Sequence, residues 1–401
     1  MNQSLKKNAI DPYLYLLFIV AFAATIPGFY CGLVGKHVLP QFGAVMFGVA
    51  VFGAAFILSW AAEAAQIDIS ESLAVAILAL IAVLPEYAVD FVFTWKAAHD
   101  PSQAHYAIAN MTGANRLLVG LGWPAVLLIY ILAKKKKAIV LEKSHRVEVF
   151  YLAMATLYSF TIPLKGSLNL IDTVILVTLF GMYTRRAAQL ESNEPEFVGP
   201  VRIIANMGKS GRRFTTVFCF LFSGTVIFFV AEPFAESLVE TGKVLGVDEF
   251  LLIQWLAPIA SEAPEFIVAA TWAMRGAASS ALNALISSKV NQWTLLVGTI
   301  PLVFSISSGV FWRPFMLDTF QGHELFLTAA QSIFAVAVLV NLRLSRLDGL
   351  LLFVLFASQL IVEQIRLEVA IAYLVLALVF HIVHRKALIP AARTGLGLKE
   401  K

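Results

Sequence analysis

The chain alternates between long apolar segments and short polar ones, and most of the apolar segments are long enough to cross a membrane. A helix needs about 20 mostly apolar residues to span the hydrocarbon core of a bilayer. The pattern predicts an all-α polytopic membrane protein with about 12 transmembrane helices, in a range of about 10–12. The predicted helices cover residues 12–34, 42–65, 71–98, 104–133, 147–163, 168–186, 214–241, 249–275, 279–312, 323–341, 348–363 and 367–385.

The composition supports the same class of protein. Hydrophobic residues make up 59% of the 401 residues and charged residues 14%, whereas soluble domains average about 45–50% and 25%. Cys31 and Cys219 both fall in apolar segments, so they indicate neither a disulfide framework nor a metal cluster. The sequence has no glycine-rich ATP-binding loop and no complete metalloprotease motif. We therefore predict neither an enzyme nor a resident cofactor.

The distribution of positive charge predicts the orientation. With the N-terminus in the cytoplasm, the cytoplasmic segments and adjoining helix ends contain 22 of the 30 Lys and Arg residues, and the opposite side contains six. Such a bias is typical of cytoplasmic loops. It favours an even number of helices with both termini in the cytoplasm. The remaining two residues, Arg116 and Lys289, fall inside predicted helices.

Two apolar segments carry a Pro–Glu pair near their middle, Pro85-Glu86 and Pro264-Glu265. A carboxylate at bilayer depth is costly and usually marks a functional site. Proline removes a helical hydrogen bond and frees a carbonyl group, so we predict that both prolines break their helices. Two such sites in corresponding positions of two halves indicate the midplane site of a secondary transporter.

The segments around the two glutamates align as an internal repeat. Asp68 precedes Glu86 by 18 residues, and Asp248 precedes Glu265 by 17. The predicted topology runs the two Glu-bearing helices in opposite directions, which predicts two inverted repeats of about five helices each. In each copy the next helix is dotted with polar residues, which are Asn110, Thr112, Asn115 and Arg116 in the first and Asn283, Ser287, Ser288, Lys289 and Asn291 in the second.

This repeat divides the chain into two membrane halves. The N-terminal half is predicted at 1–186 and contains the first repeat at about 71–122. A cytoplasmic linker rich in polar residues follows at 187–213. The C-terminal half is predicted at 214–401, with the second repeat at about 249–301.

These residues resemble the two alpha-repeats of the sodium/calcium exchanger family, within the cation/calcium antiporter superfamily. That family's repeat reads Gly-Thr-Ser-Leu-Pro-Glu on one helix and Gly-Asn-x-x-Gly-Ser-Asn on the next. The first copy here keeps Leu84-Pro85-Glu86, Asn110 and Gly113-Ala114-Asn115, and the second keeps Pro264-Glu265, Asn283 and Ser287-Ser288. The resemblance implies two inverted repeats and exchange of calcium and sodium.

The chain departs from the family pattern at three kinds of position. The family's Thr-Ser pair is Ala82-Val83 in the first repeat, which removes two oxygen ligands, and Ser261-Glu262 in the second, which adds a carboxylate. Arg116 and Lys289 stand at the same position of the two repeats, where the family pattern has a neutral residue. These differences separate this chain from the family's sodium and calcium sites.

The acids and amides of the repeats predict a cation site, because hard cations prefer oxygen ligands. Glu86 and Glu265 are predicted to face each other at the midplane and to bind the metal ion. Arg116 and Lys289 are predicted to compensate charge or to couple protons, because a fixed positive charge stabilises a nearby carboxylate and competes with a bound cation. The predicted supporting ligands are Asp90, Ser261, Glu262, Asn110, Asn115 and Asn283.

We predict a secondary active cation antiporter that works by alternating access and exchanges Na⁺ or Ca²⁺ for H⁺ or another cation. The alternatives are a passive cation channel and a degenerate scaffold that does not transport, in which the glutamates are structural acids paired with Arg116 and Lys289. The expected partners are the lipid bilayer and small inorganic cations, not nucleic acid, and the oligomeric state is open. Compact loops and the lack of a targeting signal favour a prokaryotic inner membrane.

Overall fold

The fold is built mainly of helices in a computed structural model that describes residues 11–68, 84–189, 197 and 199–398. The helices are α1 (Pro12–Val34), α2 (Pro40–Ala65), α3 (Leu84–Ala97), α4 (Ala104–Leu117), α5 (Trp123–Lys134), α6 (Arg146–Ser159), α7 (Thr161–Lys165), α8 (Leu170–Ala187), α9 (Val201–Ala205), α10 (Lys209–Leu245), α11 (Glu249–Arg275), α12 (Ala278–Asn291), α13 (Val297–Ser308), α14 (Thr319–Leu339), α15 (Arg346–Ile361), α16 (Arg366–Val383) and α17 (Arg385–Gly395). Two π-helical segments, Leu118–Gly122 and Gln292–Leu296, join α4 to α5 and α12 to α13.

Each of the twelve predicted transmembrane segments contains a helix in the structure. Residues 71–83 of the third segment lie outside the described residues, and its helix is seen from Leu84 onward. Within the described part of the chain, nine helical stretches are long and apolar enough to cross a membrane. They confirm a polytopic all-α membrane protein, while the count of twelve and the inverted repeats stay predictions.

The predicted helix break at Pro264 is wrong. Helix α11 runs from Glu249 to Arg275 and includes both Pro258 and Pro264. Proline cannot bond the carbonyl four residues earlier, but membrane helices tolerate this when neighbouring groups and local adjustments satisfy the freed carbonyl. Pro85 lies in α3 beside its first described residue, and the residues before Leu84 lie outside the described chain, so the predicted break at Pro85 stays a prediction.

The helices group into two compact units, and each unit draws segments from both predicted halves of the chain. Unit 1 consists of the described residues within 1–89, 191–252 and 259–264. At its centre α2 packs between α1 and α10. Small residues permit the close approach, since Gly28 lies against Ala50 and Gly43 lies against Ser237. Stacked aromatic rings add to this packing, as between Phe18 and Trp60.

Unit 2 consists of the described residues within 90–190, 253–258 and 265–401. Helix α14 packs against α4, α6 and α16, and α6 also contacts α8, α12 and α17. Unit 2 therefore contains the second helix of each predicted repeat, α4 and α12, together with the helices around them. The predicted division into halves at 186 and 214 stays a prediction.

Two short antiparallel strand pairs join the loops of unit 2. Strand β1 (Ala138–Val140) pairs with β4 (Arg343–Ser345), and β2 (Ser167–Leu168) pairs with β3 (Phe315–Met316). Each pair connects two loops that the charge pattern predicts on the same side of the membrane. Paired loops must lie on one side, so this agreement supports the predicted order of the spans, while the absolute orientation stays a prediction.

Helices α4 and α11 approach most closely at Gly113, where a Cβ atom would overlap the carbonyl group of Gln254. We expect Gly113→Ala to destabilise the protein by about 1–3 kcal/mol, the usual cost of overpacking a close contact. Gly181→Ala is the matched control, because a Cβ at Gly181 meets nothing within 4 Å. Melting in detergent would measure both, and equal melting temperatures for the two variants would contradict the close approach.

An ion-pair cluster ties α2 to α10 in unit 1. The guanidinium of Arg212 donates to Asp68 Oδ2 at 2.7 Å, and Arg213 donates to Asp68 Oδ1 at 3.1 Å. The residues that follow Asp68 lie outside the described chain. The hydrogen bond from Arg212 lowers the pKa of Asp68 below its ordinary value.

This lowered pKa predicts a pH-dependent stability term. A depressed carboxyl pKa stabilises the folded state above the unfolded pKa of about 3.9, and the term is lost as the pH falls through the folded pKa. Because the cluster is near the surface, we expect Asp68→Asn to cost at most about 1 kcal/mol at neutral pH. The melting temperatures of variant and wild type should converge in acid, and a constant difference at every pH would contradict this assignment.

Candidate functional site

Unit 1 buries two of the predicted carboxylates. Glu86 of α3 is 2% exposed, and Glu262 of α11 is 3% exposed. Ser261, beside Glu262, is buried as well. Carboxylates hidden in membrane helices are costly and mark functional sites. The structure thus buries three of the predicted ligands.

Unit 2 contains Asp90 and Glu265. Asp90, one helical turn after Glu86 on α3, accepts a hydrogen bond of 2.7 Å from Asn110 Nδ2 of α4. Both side chains are buried. Glu265 of α11 is half-buried, and its Oε2 has no hydrogen bond among the described residues. Whether Glu86 and Glu265 face each other stays a prediction.

Lys289 is held by oxygen atoms of the first repeat. Its Nζ donates to Asn115 Oδ1 at 2.8 Å and to the Asn115 backbone carbonyl at 3.1 Å. It also lies 4.6 Å from the ring centre of Trp293, a cation–π distance. An amide oxygen and a carbonyl oxygen are the groups that a hard metal cation prefers. The ammonium of Lys289 is therefore hydrogen-bonded to Asn115, whose side-chain oxygen was predicted to bind a metal ion.

Arg116 is held quite differently, by a carboxylate that the sequence interpretation missed. It forms a buried ion pair with Glu324 of α14, and its Nη1 donates to Gln359 Oε1 at 2.8 Å. Arg366 of α16 pairs with the other oxygen of Glu324 at 2.8 Å. Two guanidinium groups thus share one carboxylate. Arg116 therefore balances the charge of Glu324. The alternative prediction, in which Arg116 pairs with Glu86 or Glu265, is wrong.

The same carboxylate also fixes α11. Gln254 Nε2 donates to Glu324 Oε2 at 2.7 Å and lies 3.4 Å from Thr112 Oγ1. Glu324 therefore links α4, α11, α14 and α16. In the sequence, the only indication of this cluster was that Glu324 lies inside a predicted apolar helix, next to the predicted start at residue 323. In the structure α14 begins earlier, at Thr319, which places Glu324 in its second turn.

Asn283 of the second repeat also has a carboxylate partner that was not predicted. Its side chain lies close to Glu148 of α6, which is 5% exposed. Tyr183 of α8 lies near this glutamate and near Ser287 of α12. Asn283 and Glu148 connect the second predicted repeat to a helix of the predicted N-terminal half. Their spacing in the sequence does not reveal this contact.

A π-helical segment follows each of the two polar helices. Leu118–Gly122 begins two residues after Arg116, and Gln292–Leu296 begins three residues after Lys289. Such segments are rare and occur often at functional sites. Their similar positions agree with the predicted repeat, which stays a prediction.

Among the described residues, no group of three or more His, Cys, Asp or Glu side chains is placed to hold a metal ion. A metal ion at Glu86 or Glu265 would need oxygen from amides, carbonyls or water in addition. The assignment of these two glutamates as metal ligands stays a prediction.

Buried acids on apolar helices that are long enough to cross a membrane are the features of a secondary transporter for cations. The sodium/calcium exchanger protein family matches residues 40–187 and 215–363. These stretches cover more than half of the chain, so the protein belongs to the sodium/calcium exchanger family. It is a cation antiporter of that family and not an enzyme.

Solved structures agree with this assignment. The H⁺/Ca²⁺ exchanger CAX is 42% identical, with a TM-score of 0.92 over 96% of this chain and 98% of that one. Native YfkE shares 14% identity at a TM-score of 0.62, covering 89% and 99%. The sodium-calcium exchanger NCX_Mj shares 16% at 0.53, covering 85% and 99%. The last two show the fold alone. No curated protein matches the chain.

The buried ion cluster predicts a large effect of one substitution. Glu324→Gln leaves Arg116 and Arg366 without their shared counter-ion, and breaking a buried ion pair in this way costs about 3–5 kcal/mol. Glu363→Gln is the control, because Glu363 is 40% exposed and lies 4.0 Å from Arg366. Melting in detergent should separate the two variants clearly. A Glu324→Gln protein as stable as Glu363→Gln would contradict the role of Glu324 as the common counter-ion.

Proposed function

We propose that this protein is an H⁺/Ca²⁺ exchanger that works by alternating access. The observation that carries the proposal is the 42% identity and TM-score of 0.92 to the H⁺/Ca²⁺ exchanger CAX over nearly the whole chain. The departures of this chain from the sodium/calcium pattern, described above, fit a protein that exchanges Ca²⁺ for protons and not for Na⁺.

The two repeats offer few oxygen ligands for a coupling Na⁺ ion. Lys289 donates to two oxygen atoms of Asn115, so a tethered ammonium takes oxygen ligands that would otherwise be available to a free cation. Ala82 and Val83 replace the Thr-Ser pair of the family pattern and remove two further hydroxyl ligands. Fewer oxygen ligands favour a site with one metal ion and a proton as the counter-ion.

Glu86 and Glu265 are the proposed calcium-binding carboxylates. Ca²⁺ takes six to eight oxygen ligands and accepts flexible geometry, so amides, carbonyls and water complete its shell. Ser261 and Glu262, buried beside the Pro264-Glu265 motif, are further proposed ligands. When the site is empty, protons on the two glutamates replace the charge of the metal ion, which couples the two fluxes. The proposed location is a prokaryotic inner membrane with both termini in the cytoplasm.

The test is ion flux in liposomes that contain the purified protein, a pH-sensitive dye and a calcium-sensitive dye. We expect an outward proton gradient to drive Ca²⁺ uptake, and we expect an outward Na⁺ gradient to drive none. Glu265→Gln and Glu86→Gln should reduce uptake to that of protein-free liposomes, because an amide carries no charge for the metal ion. Glu142→Gln is the control, because Glu142 is exposed.

Three results would count against the proposal. Uptake driven by Na⁺ and not by protons would show sodium/calcium exchange instead. Fast Ca²⁺ flux that needs no counter-ion would favour the passive channel. Normal flux in both glutamine variants would remove Glu86 and Glu265 from the site, and no flux in the wild type would favour the scaffold.

A further inference from the structure

A groove on the surface of unit 2 lies between α5 and α15. The two helices run antiparallel and pack closely, since a Cβ atom at Gly349 would lie 2.6 Å from Leu127 Cδ2, and one at Gly120, just before α5, would overlap Phe356. The groove has a volume of about 560 Å³, which is in the range of sites that bury small ligands. Both helices belong to the same compact unit, so unit 2 alone forms this α5–α15 groove.

The lining of the α5–α15 groove is apolar except at one end. Leu128 and Ile131 line it from α5, and Leu350 and Phe353 line it from α15. Leu128 and Leu350 are both more than half exposed. Among the described residues that line the groove, Arg346 at the start of α15 is the one that carries a charge. An apolar channel with a cation at one end matches the two parts of a phospholipid, an acyl chain and a phosphate.

The strand pair β1–β4 brings further positive charge to the arginine end of the groove. Ala138 is opposite Ser345 in this pair, so Lys137, just before Ala138, and Arg346, just after Ser345, lie at the same edge. Lys137 ends a run of exposed lysines. The neighbouring carboxylate of Asp348 accepts a hydrogen bond of 2.7 Å from the Ser345 backbone N–H and so serves the helix cap. This end of the groove is therefore suited to an anion.

The length of the groove fits one leaflet of a bilayer. From Arg346 to Phe353 the axis of α15 advances by about 10 Å. The hydrocarbon core is about 30 Å thick, so the apolar part of the groove lies within one leaflet when Arg346 is at the level of the headgroups. The charge pattern predicts that this end faces the cytoplasm, where the leaflet contains anionic lipids.

We propose that the α5–α15 groove binds an anionic phospholipid, with one acyl chain along the groove and the phosphate on Arg346. A guanidinium matches two phosphate oxygens at once, and Lys137 supplies a second positive charge at the same edge. Basic pockets between membrane helices on the cytoplasmic side are known to bind anionic headgroups. The bound lipid would stabilise the packing of α5 on α15. This site does not depend on which ions the protein exchanges.

A simpler role for Arg346 is to mark the cytoplasmic end of a span, with its side chain reaching the headgroups along its apolar stem. In that case every exposed basic residue on this side attracts anionic lipid equally, and the shape of the groove has no effect. The proposed site requires instead that Arg346 and the open space beside Ala125 both contribute to binding.

The test is the melting temperature of the purified full chain in a non-ionic detergent, titrated with phosphatidylglycerol or with phosphatidylcholine. A lipid that binds the folded state raises the melting temperature in a concentration-dependent way, so each titration gives an apparent affinity. We expect tighter binding of phosphatidylglycerol. Arg346→Gln should weaken that binding about fivefold, the effect of one basic residue near an anionic lipid surface. Arg385→Gln is the control, because Arg385 of α17 is exposed and lies outside the groove lining.

Ala125→Phe tests the groove itself, because the phenyl ring would fill the space of the acyl chain without changing any charge. We expect this variant to lose the stabilisation by phosphatidylglycerol. Ala133→Phe is the matched control, since Ala133 is an exposed residue of the same helix outside the groove lining. If Ala125→Phe fails to insert, Arg346→Gln still tests the site.

Four results would overturn the proposal. The first is equal affinity of the wild type for the two lipids, and the second is equal weakening by Arg346→Gln and Arg385→Gln. The third is the same stabilisation by glycerol phosphate, which has no acyl chain and would indicate a site for free anions. The fourth is a dimer in lipid-free detergent that Ala125→Phe converts to a monomer, which would assign the groove to a second copy of the chain. Melting needs no transport, so these results are independent of the ion-flux test.

Discussion

The structure depends on one constraint, which is that polar groups inside a membrane protein must find their partners within the protein. The bilayer core supplies no water to satisfy a stray carboxylate or guanidinium. In unit 2 this requirement joins helices that are distant in sequence. Glu324 connects four helices through two arginines and a glutamine, and Lys289 connects α12 to α4 through both oxygens of Asn115. The groups that carry charge are also the groups that fix the helix positions.

The two repeats solve the problem of a buried cation in different ways. Arg116 is paired with a carboxylate that it shares with Arg366, and a carboxylate partner suits a guanidinium that stays protonated in proteins. Lys289 has neutral oxygens and an aromatic ring among its partners, and a buried lysine loses its proton more readily. Positions that are equivalent in sequence therefore differ in how firmly their charge is fixed. This asymmetry gives the two predicted repeats different electrostatic properties.

The spans could be predicted from the sequence because hydropathy depends on composition over about 20 residues and not on tertiary contacts. The partners of the polar residues could not. Glu148 and Glu324 lay next to the predicted helix starts at 147 and 323, where a carboxylate is usually solvated. The helices begin earlier, and packing from other helices buries both acids. Pro264 was misjudged for a related reason, since local sequence shows the lost hydrogen bond but not the surroundings that tolerate it.

The two small strand pairs have a mechanical consequence. β1 with β4 and β2 with β3 bind loops of unit 2 to each other by backbone hydrogen bonds, and the two pairs lie at opposite ends of its helices in the predicted topology. A helix bundle whose loops are hydrogen-bonded to each other at both ends resists the sliding of one helix against another. The two strand pairs therefore help unit 2 to keep its internal geometry.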